Sequence, residues 1–285
     1  MNNFSFYIDE INKDIILNEI KIRLEEDYLL KINNIEKISE STDNNVCIVY
    51  TNNKKYVIKI YTDIIHTKNM VDLHRLLIKN GLNIPKIINT KRNNYFIKLS
   101  NNTFLVVYSF LDGTQLGWAS PYCKLNNSII SQIAVVLKKL HSININKNDL
   151  ELPTVPYIDK NSDLQNSILH FDLTKNNIFV NEDGIGIIDF DDAKYGPSIC
   201  DVAILLATLF FSKKHGVNIK GAQYFIDEYY KDIPERKIKE LPLIKKYALD
   251  WIDYILGGNE FDTSTNESFI VKKELIKQFL LFIYK

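Results

Sequence analysis

Glycine is scarce in this chain: there are 10 in 285 residues, and none before Gly81. Turns in the first eighty residues therefore depend on other turn formers, asparagine, aspartate and serine. Cysteine is equally sparse. Cys47, Cys123 and Cys200 make an odd number without CxxC spacing, and each has apolar neighbours. This excludes a disulfide scaffold and a structural zinc, and it reads as a reducing compartment. No excess charge is present, because 35 lysines and arginines balance 35 aspartates and glutamates. Such a balance gives no electrostatic footprint for a phosphate backbone or an anionic lipid, so neither nucleic acid nor membrane is an expected partner. Long apolar runs are missing too. The longest, Val202 to Phe211, is about half a membrane span, and Met1 to Glu10 carries two acids and no basic flank. The expected location is cytoplasmic. His66, His74 and His215 lack metal-ligand spacing and are expected on the surface.

What remains is an ordinary globular composition, 46% hydrophobic and 25% charged, in a chain long enough for one large domain or two modest ones. Residues 9–30, with Ile11, Ile15, Ile16, Ile20 and Leu24 in register, predict an amphipathic helix. Short β-rich runs at 33–39, 46–50 and 55–61 predict an antiparallel meander. A helix is expected over 67–79, with Met70, Leu73, Leu76 and Leu77 on its inner face and Gly81 just beyond its end. More strand-like sequence follows at 86–89, 95–99 and 104–109. After Gly113 helical periodicity dominates, at 126–142, 198–212, 219–231, 236–256 and 267–283. The change of pattern divides the chain into an N-terminal lobe, 1–109, and a C-terminal lobe, 110–285.

The chemistry is concentrated in Ile168 to Asp201, which contains His170-Phe171-Asp172, then Asn177, then Asp189-Phe190-Asp191-Asp192, then Gly196-Pro197 and Asp201. Residues 177–180 and 185–189 are β-rich and flank Asp183-Gly184, a hairpin signal. Pairing about that turn sets Asn177 level with Asp189 to within one residue. A carboxamide oxygen beside a carboxylate suits a hard cation such as Mg2+, which takes its remaining oxygens from water and phosphate. Asp172 precedes Asn177 by five residues of polar loop, close enough to face the same point and to orient a hydroxyl while taking its proton. His170 is better placed to shape this loop than to titrate.

The pattern H-x-D-x4-N-x11-D resembles that of the aminoglycoside phosphotransferase and choline kinase family, the protein-kinase-like small-molecule kinases. The resemblance covers about residues 35–210. It implies an α+β, two-lobed fold with an antiparallel-sheet N-lobe and a mainly helical C-lobe, and a nucleotide in the cleft between them. It implies Asp172 as catalytic base, Asn177 and Asp189 as magnesium ligands, and His170 and Asp201 as support for the loop. Tyr56-Val57-Ile58-Lys59-Ile60 resembles the strand whose lysine, here Lys59, binds the phosphates. Val107 to Gly113 resembles the hinge that takes the base, with Ser109 and Leu111 as its contacts. Ile133 to Ser142 resembles the helix, ending in Leu-His, that follows the hinge.

This sequence departs from the family pattern at three places. The hairpin that would cover the nucleotide has no glycine, so Ser41, Thr42 and Asn45 would have to approach the phosphates. The helix that should present a glutamate to Lys59 contains only Asp72. Only 28 residues separate His141 from His170, which leaves little room for a substrate-binding insertion and shifts recognition toward residues 211–285. Trp251 and Asp253 are the candidates there, although Trp251 also fits the inner face of an ordinary amphipathic helix, and by family analogy Asp191 is a further candidate to meet an acceptor amine. Tyr108, just before the hinge, narrows the base pocket and leaves ATP and GTP open as donors. The function implied is Mg2+-dependent transfer of a γ-phosphoryl group to a hydroxyl of a small acceptor, an aminoglycoside-type antibiotic first. Choline or another amino alcohol, an amino acid, a sugar, and an inactive nucleotide-binding scaffold are the alternatives. Oligomeric state is not legible.

Overall fold

The computed structural model describes residues 10–37, 46–116, 125–145, 150–156, 164–212 and 216–257. Ser41, Thr42, Asn45, Cys123, His215 and the helix expected at 267–283 lie outside them. The chain divides into two compact units: residues 1–76 with 85–110, and residues 77–84 with 111–285. Residues 77–84 join the second unit through Ile187 N–H, which donates to Asn83 O at 3.0 Å, and through the Lys139 ammonium on Gly81 O. Among the described residues no helix is long and apolar enough to cross a membrane.

The first unit contains α1 (Glu10–Asp27), β1 (Ile32–Lys37), β2 (Val46–Thr51), β3 (Lys55–Tyr61), most of α2 (Ile64–Lys79), β4 (Ile97–Lys98) and β5 (Phe104–Ser109). The strands form one antiparallel sheet in the order β1-β2-β3-β5-β4. Directly paired residues share a face, so register sorts the side chains. Cys47, Val49, Ile58, Leu105 and Val107 fall on one face and pack with Ile20, Leu24 and Tyr28 of the α1 segment. The helix expected over 9–30 is found, and Ile20 and Leu24 are the residues of it that pack there. Val46, Lys59 and Val106 align on the opposite face, with Ile48, Val57 and Tyr108 as the next row.

Two expectations need correction here. Helix α2 starts three residues early, at Ile64, where Asp63 caps His66 N–H at 2.6 Å. His74 is not on the surface: it is buried, its Nδ1 lies 3.2 Å from Pro85 O, and its ring lies 4.9 Å from that of Tyr108. The reason is the helical period, which places His74 on the stripe of Met70, Leu73 and Leu77.

The second unit contains β6 (Thr114–Gln115), α3 (Asn127–His141), β7 (Asn166–Leu169), β8 (Ile178–Asn181), β9 (Gly184–Ile187), β10 (Lys194–Pro197) and α4 (Ile199–Leu209). It continues with β11 (Phe211–Ser212), β12 (Gly216–Val217), α5 (Ile219–Tyr230), α6 (Pro234–Glu240) and α7 (Ile244–Gly257). Among the described residues these strands form three small antiparallel sheets: β6-β8-β9, β7-β10 and β11-β12. Helix α4 is buried from Ile199 to Ala207 and forms the centre of the core. The single helix expected over 236–256 is broken into α6, a 3-10 turn at Leu241–Leu243, and α7. Pro242 accounts for the break, since it has no N–H for the helical ladder. Gly113 has φ +138°, and a Cβ there would lie 2.7 Å from Val180 O, so only glycine lets β6 approach β8.

Candidate active site

The hairpin of β8 and β9 has a two-residue loop, Glu182-Asp183, closed by Gly184 at φ +102°. Its register pairs Ile178 with Ile187, and Ile188 N–H donates to Asn177 O at 3.0 Å. Asn177 therefore stands beside the residue preceding Asp189, as the turn arithmetic requires. Asn177 is buried and Asp189 is exposed. The Asn177 carboxamide donates from Nδ2 to Asp172 Oδ2 at 2.8 Å and to Asp172 O at 2.9 Å. With the nitrogen turned to Asp172, the acceptor end of the same group, Oδ1, is directed elsewhere and suits a hard cation. Among the described residues no cluster of three or more His, Cys, Asp or Glu is built to hold a metal. A two-oxygen site of Asn177 and Asp189 fits a cation that completes its shell with phosphate and water.

Asp172 is held well above the ordinary carboxylate range, at about 6. Burial is the main cause; the nearby His170 opposes it, the carboxylates of Asp192 and Asp189 reinforce it, and the Asn177 hydrogen bond opposes it. His170 lies against the ring of Phe190 at 4.5 Å, with Nε2 2.8 Å from Ile188 O. Asp172 N–H donates to His170 Nδ1 at 3.3 Å. His170 thus ties the loop to the strand that leads to Asp189.

Two residues of this site have left-handed backbone: Asp189 at φ +67° and Phe171 at φ +65°. Aspartate tolerates that region, whereas for phenylalanine it costs on the order of 1–3 kcal/mol and must be imposed by surrounding contacts. Asp201, in the first turn of α4, imposes it. Its Oδ1 accepts from Phe171 N–H and its Oδ2 from His170 N–H, each at 2.8 Å, in a fully buried position. Asp201 thus holds the loop through its backbone. His141, the last residue of α3, adds Nε2 to Asp201 Oδ2 at 3.2 Å, and its Nδ1 lies 2.7 Å from the Tyr229 hydroxyl. These links span 30 to 88 residues of sequence; the support roles of His170 and Asp201 and the Leu-His end of α3 were expected from the family resemblance, whereas Tyr229 was not.

Phe171 also brings α7 to the loop, since its ring centroid lies 5.9 Å from that of Tyr254. Lys194 Nζ lies 4.6 Å from the Phe171 ring centre. Burial lowers the Lys194 pKa, and Asp192 opposes that shift. Trp251 is only 5% exposed and belongs to the core, so it offers no contact surface; Asp253 and Tyr254 are the exposed neighbours on α7. Asp191 is half-buried beside exposed Asp192.

In the first unit, Lys59 is half-buried, mid-strand, with Val46 and Val106 paired on either side. Asp72 is exposed and bonded to Arg75 at 3.2 Å. Ser109 is committed within the sheet: its N–H donates to Lys86 O at 2.7 Å and its Oγ accepts from Lys86 N–H at 2.8 Å. The Leu111 side chain packs over Gly186, where a Cβ would meet it at 2.7 Å. Tyr108 is buried, with its hydroxyl 3.3 Å from that of Tyr61. The half-exposed apolar residues Val46, Ile48 and Val57 around Lys59 are a lining that motif reading alone overlooks; strand alternation was the signal for it.

The sequence pattern of the phosphotransferase enzyme family (APH) matches residues 34–166 and 150–230. No curated protein matches the chain by sequence. Solved structures do resemble it. An amicoumacin kinase in complex with AMP-PNP and Ca2+ superposes with a TM-score of 0.70 at 13% identity, over 93% of this chain and 96% of that one. A spectinomycin phosphotransferase in complex with ADP and spectinomycin gives 0.66 at 18% identity, over 94% and 98%. A choline kinase from Streptococcus pneumoniae gives 0.60 at 16%, over 94% and 99%. At these identities the likeness speaks for the fold, which is the α+β, protein-kinase-like architecture expected from the sequence.

Proposed function

Because the chain belongs to the phosphotransferase enzyme family and is a small-molecule phosphotransferase, we propose that it transfers the γ-phosphoryl group of a nucleoside triphosphate to a hydroxyl of a small cationic acceptor. The observation that carries this reading is the Asp172 carboxyl, held by Asn177 at 2.8 Å and kept at about 6 by burial and by neighbouring acids. A group so poised is largely ionised at neutral pH yet basic enough to accept a proton. Asp172 would orient the acceptor hydroxyl and take its proton as the oxygen–phosphorus bond forms and the bond to the leaving diphosphate breaks. Asn177 Oδ1 and the Asp189 carboxylate would hold Mg2+, which supplies neutralisation of phosphate charge when bound. Lys59 would pair with the phosphates, and the Val46, Ile48 and Val57 face would take the base.

A cationic acceptor is favoured by the carboxylates around Asp172. Asp189 and Asp192 both act on it electrostatically, and α7 presents Asp253 one residue before the Tyr254 ring that meets Phe171. An aminoglycoside-type antibiotic and a choline-like amino alcohol share that chemistry. Such an enzyme would work in the cytoplasm, where nucleoside triphosphates are available. The test is transfer of label from γ-labelled ATP and GTP with Mg2+ into pooled aminoglycosides, amino alcohols, amino acids and sugars. Label should enter one cationic pool, and Asp172→Asn should lower that transfer by about 10²–10⁴-fold. Mg2+-dependent nucleotide binding without transfer into any pool would instead support a nucleotide-binding scaffold.

A further inference from the structure

The carboxylate that holds the Asp172 loop is itself held from farther inside the second unit. His141 bridges two groups: its Nε2 bonds to Asp201 Oδ2 at 3.2 Å and its Nδ1 to the Tyr229 hydroxyl at 2.7 Å. Near Tyr229, Arg236 is bonded to Ser198 Oγ and, at 2.8 Å, to Glu240. Glu240 also accepts from Tyr230 OH at 2.8 Å. The result is a chain of hydrogen bonds from Tyr229 on α5 through His141 on α3 to Asp201 on α4, ending at two peptide N–H groups. Those two peptides lead directly into the left-handed Phe171, which has no conformational reason of its own to stay there.

We propose that Tyr229 is a positioning residue for phosphoryl transfer: through His141 and Asp201 its hydroxyl holds the His170 and Phe171 peptides, and so fixes the Asp172 carboxyl against Asn177. The proposal rests on Asp172 being the base. Tyr229 touches no reacting atom. Its ring packs against Phe225, Tyr230 and His141, contacts that a phenylalanine keeps.

The experiment uses the full chain with Tyr229→Phe, and with His141→Gln as a second break in the same chain of bonds should the first variant not fold. Amide hydrogen exchange should accelerate roughly tenfold at His170 and Phe171, while Ile168, Leu169 and the first unit stay at their original rates. Transfer of phosphate from Mg2+–ATP to water should lose about 10- to 100-fold in kcat, with KM for ATP within about twofold. In a Phe171→Gly background, where glycine accepts φ near +65° unaided, the penalty of Tyr229→Phe should shrink to less than about threefold. Unchanged exchange at the two amides, uniform acceleration across the unit, unaltered kcat, or an equal penalty in both backgrounds would overturn the positioning role. If the unmodified chain turned over no ATP, the kinase reading would fail, and the exchange data would still show whether Tyr229 holds the loop.

Discussion

Lys59 and Asp172 are presented by two different kinds of structure. Lys59 stands mid-strand in a sheet whose far face is sealed by an apolar core of Ile58, Leu105 and Val107 under α1. Its placement follows from backbone pairing and alternation, which many apolar side chains would satisfy equally well. Asp172 stands in an irregular loop that includes a left-handed phenylalanine, and its placement follows from one buried carboxylate and the bonds behind it. Hydrophobic cores fail gradually, as volume is removed, whereas buried polar networks fail when a single partner is lost. The first unit should therefore tolerate substitution in function better than the second.

The largest effect is expected where the network has its hub. Asp201→Ala strands two peptide donors and His141 in a buried position and should cost about 3–5 kcal/mol in urea unfolding, with phosphoryl transfer lost as well. A loss below about 1 kcal/mol would mean that the loop is held by something else. Ile58→Ala, fully buried in the first unit, should cost a comparable 2–5 kcal/mol or so, but with turnover per folded molecule nearly preserved. Equal damage to turnover from both substitutions would erase the contrast.

The same contrast explains what could be read in advance. The N-terminal sheet was legible because β-rich runs alternate, and the level placement of Asn177 and the residue before Asp189 was legible because a short hairpin fixes register. The interior position of His74 was also encoded, by its spacing from Met70 and Leu77, but a polar residue type obscured it. Pro242 marked the break between α6 and α7 in the same quiet way. The Tyr229–His141–Asp201 chain was not legible, because its members meet across 60 and 88 residues and no local pattern records such contacts. Tertiary proximity, not propensity, decides those partners.

Asp172 itself should be a thermodynamic burden. Its folded-state value of about 6 lies above the ordinary 3.8, so the native state binds that proton more tightly than the unfolded chain does. Stability from this group is present below about pH 4 and is lost as pH rises through about 6. Asp172→Asn should therefore stabilise the protein at pH 7 by up to about 3 kcal/mol, and by almost nothing near pH 3.5. Thermal unfolding at the two pH values checks this; a gain of equal size at both would assign the effect to packing and not to charge.

The smallest change in stability and the clearest separation of fold from function should come from Lys59→Ala. Lys59 is half-buried between Val46 and Val106 on strands already paired on both sides, so truncation leaves the ladder intact and should move unfolding by less than about 1 kcal/mol. Its ammonium, under the proposed reading, meets the phosphates as a point charge, and removing it should lower turnover by about 10²-fold. Lys59→Arg should restore little, because a planar fork with five donors cannot replace a compact ammonium on the same half-buried row. Full recovery with arginine would show that this row supplies charge alone, and that the sheet does not set the distance at which that charge acts.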